Sequence, residues 1–217
     1  MGSTMYYVYV KNIRVAINGF GRIGRAFARL SHGRLSTQAG GIELVAVNDL
    51  GSLKNLAYLL EYDTVYGRAP FPVKVRPSRE GENNGALIID GKEVKFFSEK
   101  DPANLPWKEL AIDIVIESSG FFTEYEKAQA HITAGARRVI ITAPAKGDAS
   151  LGATILMGVN EEKLATCQIS SNASCTTNAA SPLIAILDEA IGIEKAVLST
   201  THAYTASQSI VDGPSKK

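Results

Sequence analysis

The stretch Ile13-Arg14-Val15-Ala16-Ile17-Asn18-Gly19-Phe20-Gly21-Arg22-Ile23-Gly24 decides the fold. A β-branched run leads straight into GxGxxG, and Arg22 to Leu30 continues with helical periodicity. Each glycine has its own reason in such a turn. Gly19 permits the tight reversal, Gly21 lets the backbone approach a pyrophosphate, and Gly24 lets helix and strand pack closely. The helix that follows offers unpaired N–H groups and a partial positive charge to phosphates. Asp49 ends the next strand candidate, Glu43 to Val47, some 25 residues after Gly24. A carboxylate there accepts hydrogen bonds from ribose hydroxyls and repels a 2′-phosphate. No Arg or Lys occurs among Leu50 to Leu53, so the pattern favours NAD over NADP.

Outward from this unit the alternation continues. Leu53 to Glu61 is helical, with Leu53, Leu56, Ala57 and Leu60 on one face. Asp113 to Glu117 reads as a strand buried on both sides, Glu124 to Thr133 as a helix, and Arg138 to Thr142 as a strand. Alternating β and α imply parallel strands with crossover helices, a doubly wound, mostly parallel α/β sheet of the Rossmann type. Between Phe71 and Phe97 the pattern changes to an antiparallel insertion, with strands around Val73 and Val75 and from Leu87 to Val94. Asp90-Gly91 turns that hairpin, and Ser78 to Gly85 forms an exposed loop. A helix from Thr176 to Ala190 and a strand from Ala196 to Thr201 complete the reading. The expected organisation is a dinucleotide-binding domain over residues 12–174, followed over 175–217 by the start of a truncated α+β catalytic domain.

Composition narrows the function classes. The 217 residues carry 23 basic and 22 acidic side chains for a net charge of +1, which gives no electrostatic footprint for nucleic acid or a membrane surface. No apolar run approaches the length of a spanning helix, about 18 residues or more. Met1 to Met5 lacks the charged-then-apolar order of a signal peptide and resembles an expression scar. At roughly 150 residues per domain the length suits one to two domains. Two cysteines, Cys167 and Cys175, form no disulfide framework and no zinc-ligand pattern, so reduced thiols in a cytoplasmic protein are expected.

The two cysteines differ in setting. Cys167 falls in an apparent strand and suits a small inert hydrophobe. Cys175 sits in Ser174-Cys175-Thr176-Thr177-Asn178, where a strand gives way to a helix whose N-terminus favours a thiolate. His202, after the run Val197 to Thr201, is the candidate base. His32 and His131 lie in or beside helices with no thiol nearby in sequence and read as structural or solvent-facing.

Three segments carry a family resemblance: Asn18 to Arg25, Ser171-Asn172-Ala173-Ser174-Cys175-Thr176-Thr177-Asn178, and His202-Ala203-Tyr204-Thr205 through Asp212-Gly213-Pro214. They resemble phosphorylating glyceraldehyde-3-phosphate dehydrogenase, as do Val47 to Asp49, Tyr62 to Gly67, Glu117 to Gly120 and Met157 to Asn160. The resemblance implies that Cys175 attacks the aldehyde, that His202 acts as base while hydride passes to NAD, and that inorganic phosphate releases an acyl phosphate. It further implies cofactor contacts at Gly19, Gly21, Arg22, Ile23, Gly24, Asp49, Lys100, Ser119 and Thr142. Ser174, Thr176 and Thr205 would bind the phosphate of glyceraldehyde 3-phosphate or the incoming phosphate. Lys100 stands where the family has Arg beside Asp-Pro, and an ammonium lacks the guanidinium's planar fork. The family's chain continues well beyond Lys217, into parts that would supply a phosphate-binding arginine, more of the catalytic sheet and the interface of a homotetramer. An isolated chain would then be poorly active and prone to aggregate, with an uncovered apolar face. Two alternatives are a non-catalytic NAD-binding fragment and an erythrose-4-phosphate dehydrogenase.

Overall fold

The computed structural model describes residues 11–32, 41–78, 84–205 and 213. Eleven strands and four α-helices follow in chain order among them. They are β1 (Ile13–Asn18), α1 (Arg22–His32), β2 (Ile42–Asn48), α2 (Leu53–Glu61), β3 (Tyr62–Asp63), β4 (Gly67–Arg68), β5 (Val73–Arg76), β6 (Ala86–Ile89), β7 (Lys92–Phe97), β8 (Ile114–Glu117), α3 (Tyr125–Thr133), β9 (Arg138–Ile141), β10 (Gly152–Thr154), β11 (Ile169–Ser171) and α4 (Cys175–Ile191). Nine strands form one sheet in the order β10-β11-β9-β8-β1-β2-β7-β6-β5, and β3 and β4 make a separate hairpin.

From β10 to β7 every neighbouring pair is parallel, so all these strands end at one edge of the sheet. Strand β1 pairs with β2 on one side and β8 on the other. The chain therefore leaves β1 in one direction and later returns to its opposite flank, and the crevice between these strand ends is the topological switch point. The antiparallel insertion is present as β5 and β6, folded back on β7. Asp90 and Gly91 both have positive φ, 50° and 75°, as a tight hairpin turn of this kind requires.

The pleat divides β1 between two cores. Val15 and Ile17 pack with Phe20, Ala28, Leu56 and Leu60 beneath α1 and α2. Ala16 faces the other side with Val115, Leu105, Ile112 and Trp107. A third cluster joins Tyr125 and Ala128 of α3 to Val139, Ile141 and Ile169. Strands buried on both faces are what an interior parallel sheet demands, which is why these runs lack polar alternation.

Several expectations are corrected. Ala196–Thr201 is not a strand: β-branched residues favour extended backbone, but a strand exists only by pairing, and no described strand pairs with this run. Cys167 lies one position after the short 3-10 turn Glu161–Thr166, outside β11, with its thiol 3.5 Å from the Lys163 carbonyl. It is half-buried rather than a core residue. His131 is fully buried, whereas His32 is half-buried. Met1 to Met5, most of the loop Ser78 to Gly85, and Asp212 and Pro214 of the last quoted motif lie outside the described residues.

Helix α4 differs from the others in having no buried residue. Leu183, Ile184, Ile186, Leu187 and Ile191 are all exposed, Ile191 to 80%. Stability should accordingly concentrate in the sheet. Ile17→Ala, at a fully buried position, should cost about 2–5 kcal/mol, whereas Ile191→Ala should stay within about 0.5 kcal/mol. Urea unfolding midpoints of the two variants check this, and equal losses would contradict the packing described.

Candidate functional site

The phosphate loop is shaped by two close approaches. Gly19 has φ +90°, and a Cβ there would lie 2.3 Å from the Ser119 amide nitrogen. At Gly24 a Cβ would stand 2.3 Å from the Gly19 carbonyl oxygen. Neither position admits a side chain, because backbone is packed directly on backbone. Gly21 is the opposite case: no atom lies within 4 Å of where its Cβ would be. Gly21 also lines a cleft of about 600 Å³ at the switch point, together with Asn18, Gly19, Asp49, Lys100 and Ser119 among others. A glycine with room for a Cβ, at the mouth of a helix and beside a cleft, leaves space for an approaching phosphate.

Asp49 reaches the cleft but is already engaged. One carboxylate oxygen accepts the Phe20 N–H at 2.6 Å and the other the Gly51 N–H at 2.7 Å. The side chain thus ties the phosphate loop to the end of β2, and each oxygen keeps a lone pair for a ribose hydroxyl. The N-cap of α2 is Ser52. Ser119 donates its hydroxyl proton to Glu117 Oε1 and accepts the Phe121 N–H at 3.1 Å, so toward a ligand it presents acceptor capacity. Arg22 and Ile23 open α1 but do not line the cleft. The Arg22 guanidinium lies 3.9 Å from the Asp63 carboxylate, and Ile23 is exposed. Thr142 follows the end of β9, with its hydroxyl 3.2 Å from the Glu117 carbonyl. The cleft-lining groups, Gly21, Asp49 and Ser119 among them, fit an extended dinucleotide lying across the ends of β2, β1 and β8.

The thiol stands at the same edge of the sheet. Strand β11 lies two places from β8, roughly 10 Å at ordinary strand spacing. It leads through Asn172 to Ser174 into α4. Ser171 Oγ bonds the Ala143 carbonyl at 2.6 Å and accepts the Ala173 N–H at 3.0 Å. Ala173 adopts φ 59°, an uncommon backbone for a residue with a Cβ. Ser174 is the N-cap: its hydroxyl accepts the Thr177 N–H at 3.0 Å and meets the Thr177 hydroxyl at 2.8 Å. The expected phosphate-binding hydroxyl of Ser174 therefore already caps the helix. Thr176 is half-buried, and Thr205 is exposed.

Cys175 is the first residue of α4, exposed, with Sγ 2.9 Å from His202 Nε2. The structure thus joins two residues 27 positions apart without an intervening strand. His202 Nδ1 lies 2.6 Å from the Ala203 carbonyl oxygen, which can only accept, so Nδ1 carries a proton and Nε2 is free to take the thiol's. The imidazole hydrogen bond is the main cause that holds the Cys175 thiol below its ordinary range. Some desolvation opposes it, and the Thr176 N–H assists. The Ala203 carbonyl, then the hydrogen bond and charge of Cys175, push His202 up. Both shifts run in the direction of a thiolate–imidazolium pair, the arrangement in which a thiol is most reactive.

Two predictions follow from this geometry. Alkylation of Cys175 by iodoacetamide should show a pH midpoint below that of a free cysteine, about 8.5. Removing the imidazole in His202→Asn should raise the midpoint and slow alkylation at pH 7; an unchanged pH profile would contradict the pairing. In the phosphate loop, Gly24→Ala should lower the melting temperature by several degrees. Gly21→Ala should leave melting nearly unchanged while weakening NAD binding at least tenfold, and calorimetric titration separates the two.

The model for the glyceraldehyde 3-phosphate dehydrogenase NAD binding domain matches residues 13–125, and that for the C-terminal domain of the same enzyme matches residues 174–217. The chain is 50% identical to a glyceraldehyde-3-phosphate dehydrogenase of Thermotoga maritima and 48% identical to one of Streptomyces coelicolor, with 94% of this chain and 57% of each relative covered. A chloroplastic glyceraldehyde-3-phosphate dehydrogenase B of Pisum sativum is 47% identical over 94% of this chain and 44% of its own length. The chain thus spans 44% to 57% of the length of these relatives, and it belongs to the glyceraldehyde-3-phosphate dehydrogenase family.

Proposed function

We propose that this chain supplies the NAD-binding half and the reacting thiol of a dehydrogenase that oxidises and phosphorylates glyceraldehyde 3-phosphate. The observation that carries the reading is the exposed Cys175 thiol, 2.9 Å from an imidazole whose other nitrogen is already protonated. Such a thiolate adds to an aldehyde carbonyl to form a thiohemiacetal. His202, having taken the thiol proton, can donate it to the developing alkoxide and recover it as the carbon is oxidised. NAD, when bound, supplies the hydride acceptor. The thioester that results keeps the oxidation energy in a reactive bond until inorganic phosphate attacks the carbonyl. The acyl phosphate then leaves with Cys175 restored as a thiolate.

The site residues take roles that follow from their placement. Gly21 and the start of α1 would receive the pyrophosphate, Asp49 a ribose, and Ser119 and Thr142 the wall between cofactor and thiol. Lys100 lines the same cleft beside Glu99. Thr176 and Thr205 remain candidates for phosphate, while Ser174 would contribute only by reorienting its capping hydroxyl. Asp49 favours NAD, since a 2′-phosphate would face its carboxylate. The near-neutral charge gives no case for nucleic acid, and among the described residues no helix is long and apolar enough to cross a membrane. A role in glycolysis in the cytoplasm, within a homotetramer, fits this reading. The exposed apolar face of α4 is consistent with packing against further protein.

A single-turnover experiment tests the proposal. With NAD and glyceraldehyde 3-phosphate but no inorganic phosphate, the chain should form NADH and a 3-phosphoglyceroyl thioester on Cys175 in equal amounts, detectable by mass spectrometry. Phosphate should then remove the adduct, and Cys175→Ser should form neither product while binding NAD as before. NADH without an adduct on Cys175 would contradict the mechanism. NAD binding with no adduct under any condition would favour the non-catalytic alternative.

A further inference from the structure

The site leaves one buried cluster unexplained. Glu117 ends β8 with only 2% of its surface exposed, and among the described residues no lysine or arginine pairs with it. Four donors converge on its carboxylate instead. Oε1 accepts the Ser119 N–H at 2.8 Å and the Ser119 hydroxyl, while Oε2 accepts the Asn18 side-chain amide and meets His131 Nε2 at 3.0 Å. The indole N–H of Trp107 can only donate, and it lies 3.0 Å from His131 Nδ1. Nδ1 must therefore accept, which places the ring's proton on Nε2, pointing at Glu117. On the other side Asn18 Oδ1 accepts from Asn48 at 2.7 Å, and Asn48 is bonded to both backbone polar groups of Glu99. A continuous line of hydrogen bonds thus runs under the cleft from Glu99 to Trp107.

We propose that Glu117 is a positioning residue for the bound dinucleotide: its buried carboxylate, oriented by His131 and Trp107, fixes the Ser119–Phe121 wall against the phosphate loop. This inference rests on the cofactor reading above. Two observations beyond the cluster support it. Ser119 Oγ accepts the Phe121 N–H, so Glu117 sets two cleft-lining residues through one hydroxyl. Ser118 Oγ bonds the Gly19 carbonyl at 2.6 Å, and the Gly19 backbone leaves no room against Ser119. A shift of Ser119 is therefore transmitted to the glycine turn. Every acceptor site of the carboxylate faces a donor, so an amide in its place must set an N–H against an N–H or O–H. Relief on the Asn18 side would break the bond to Asn48, and relief at His131 would turn a ring N–H toward the indole. The least costly release is at Ser119, in the cleft wall.

The test measures NAD dissociation constants of the 217-residue chain by calorimetry for wild type, Glu117→Gln, Ser119→Ala and the double variant. Glu117→Gln should keep its circular dichroism spectrum and bind NAD about tenfold more weakly, the size expected for one buried donor left unpaired. Because Glu117 acts through Ser119, the double variant should lose less than the product of the single losses. Wild-type affinity in Glu117→Gln, or multiplicative losses, would overturn the positioning role. A wild-type chain that does not bind NAD would instead overturn the cofactor reading, and this inference with it. Should Glu117→Gln fail to fold, His131 provides the second measurement. His131→Gln can still donate to Glu117 and should stay within about twofold of wild type, whereas His131→Leu should bind at least fivefold more weakly. Equal binding by wild type and both variants would overturn the proposal.

Discussion

The architecture of the site depends on one contact, the packing of the Gly19 backbone directly on that of Ser118 and Ser119. It joins the ends of β1 and β8, which flank the switch point of the sheet. With any side chain at Gly19 the two strand ends would have to separate, and the loop would no longer aim the start of α1 at the cleft. The positive φ of Gly19 adds a second reason for glycine, since a residue with a Cβ would be strained there even in open space. Gly24 completes the arrangement by letting α1 lie on the Gly19 carbonyl. Two steric constraints therefore place the helix terminus, and electrostatics then acts from a fixed position.

The chemistry at the other end of the site uses the same economy of parts. Parallel strands deliver their C-terminal ends to one edge, so β11 brings Cys175 to the side where β1, β2 and β8 build the cleft. Local features hold the thiol below its ordinary range: an imidazole oriented by its own neighbouring carbonyl, and the Thr176 N–H at the helix terminus. None of these requires burial, and Cys175 stays exposed. Exposure leaves the thiol reachable from solvent at the sheet edge. Cleft and thiol thus come from separate devices, one steric and one electrostatic, sharing a sheet edge.

Much of this was legible in the sequence, for identifiable reasons. The parallel sheet could be read because its strands are buried on both faces and lack polar alternation, as in Val115 and Ile116. The glycine turn could be read because Gly19 and Gly24 answer to local geometry, and Cys175 because hydroxyls and an amide surround it in sequence. Ala196–Thr201 misled, since β-branched residues state a preference and pairing decides the outcome. The part played by Asp49 as a strut to Phe20 was hidden because it depends on a backbone N–H from another strand's loop. Glu117 and His131 gave no signal either. A carboxylate at a strand end and a histidine on a helix become partners only when the β8–α3 crossover folds, and their link to the sole tryptophan spans 24 residues.

The central claim is that a dinucleotide lies across the crevice between β1 and β8. It is tested most directly by titrating the isotope-labelled chain with NAD and following backbone amide resonances. The account predicts saturable shifts concentrated at Gly19, Gly21, Asp49, Ser119 and Gly120, with the amides of β5 and β6 unmoved. Shifts centred on another surface, or none at millimolar NAD, would contradict it.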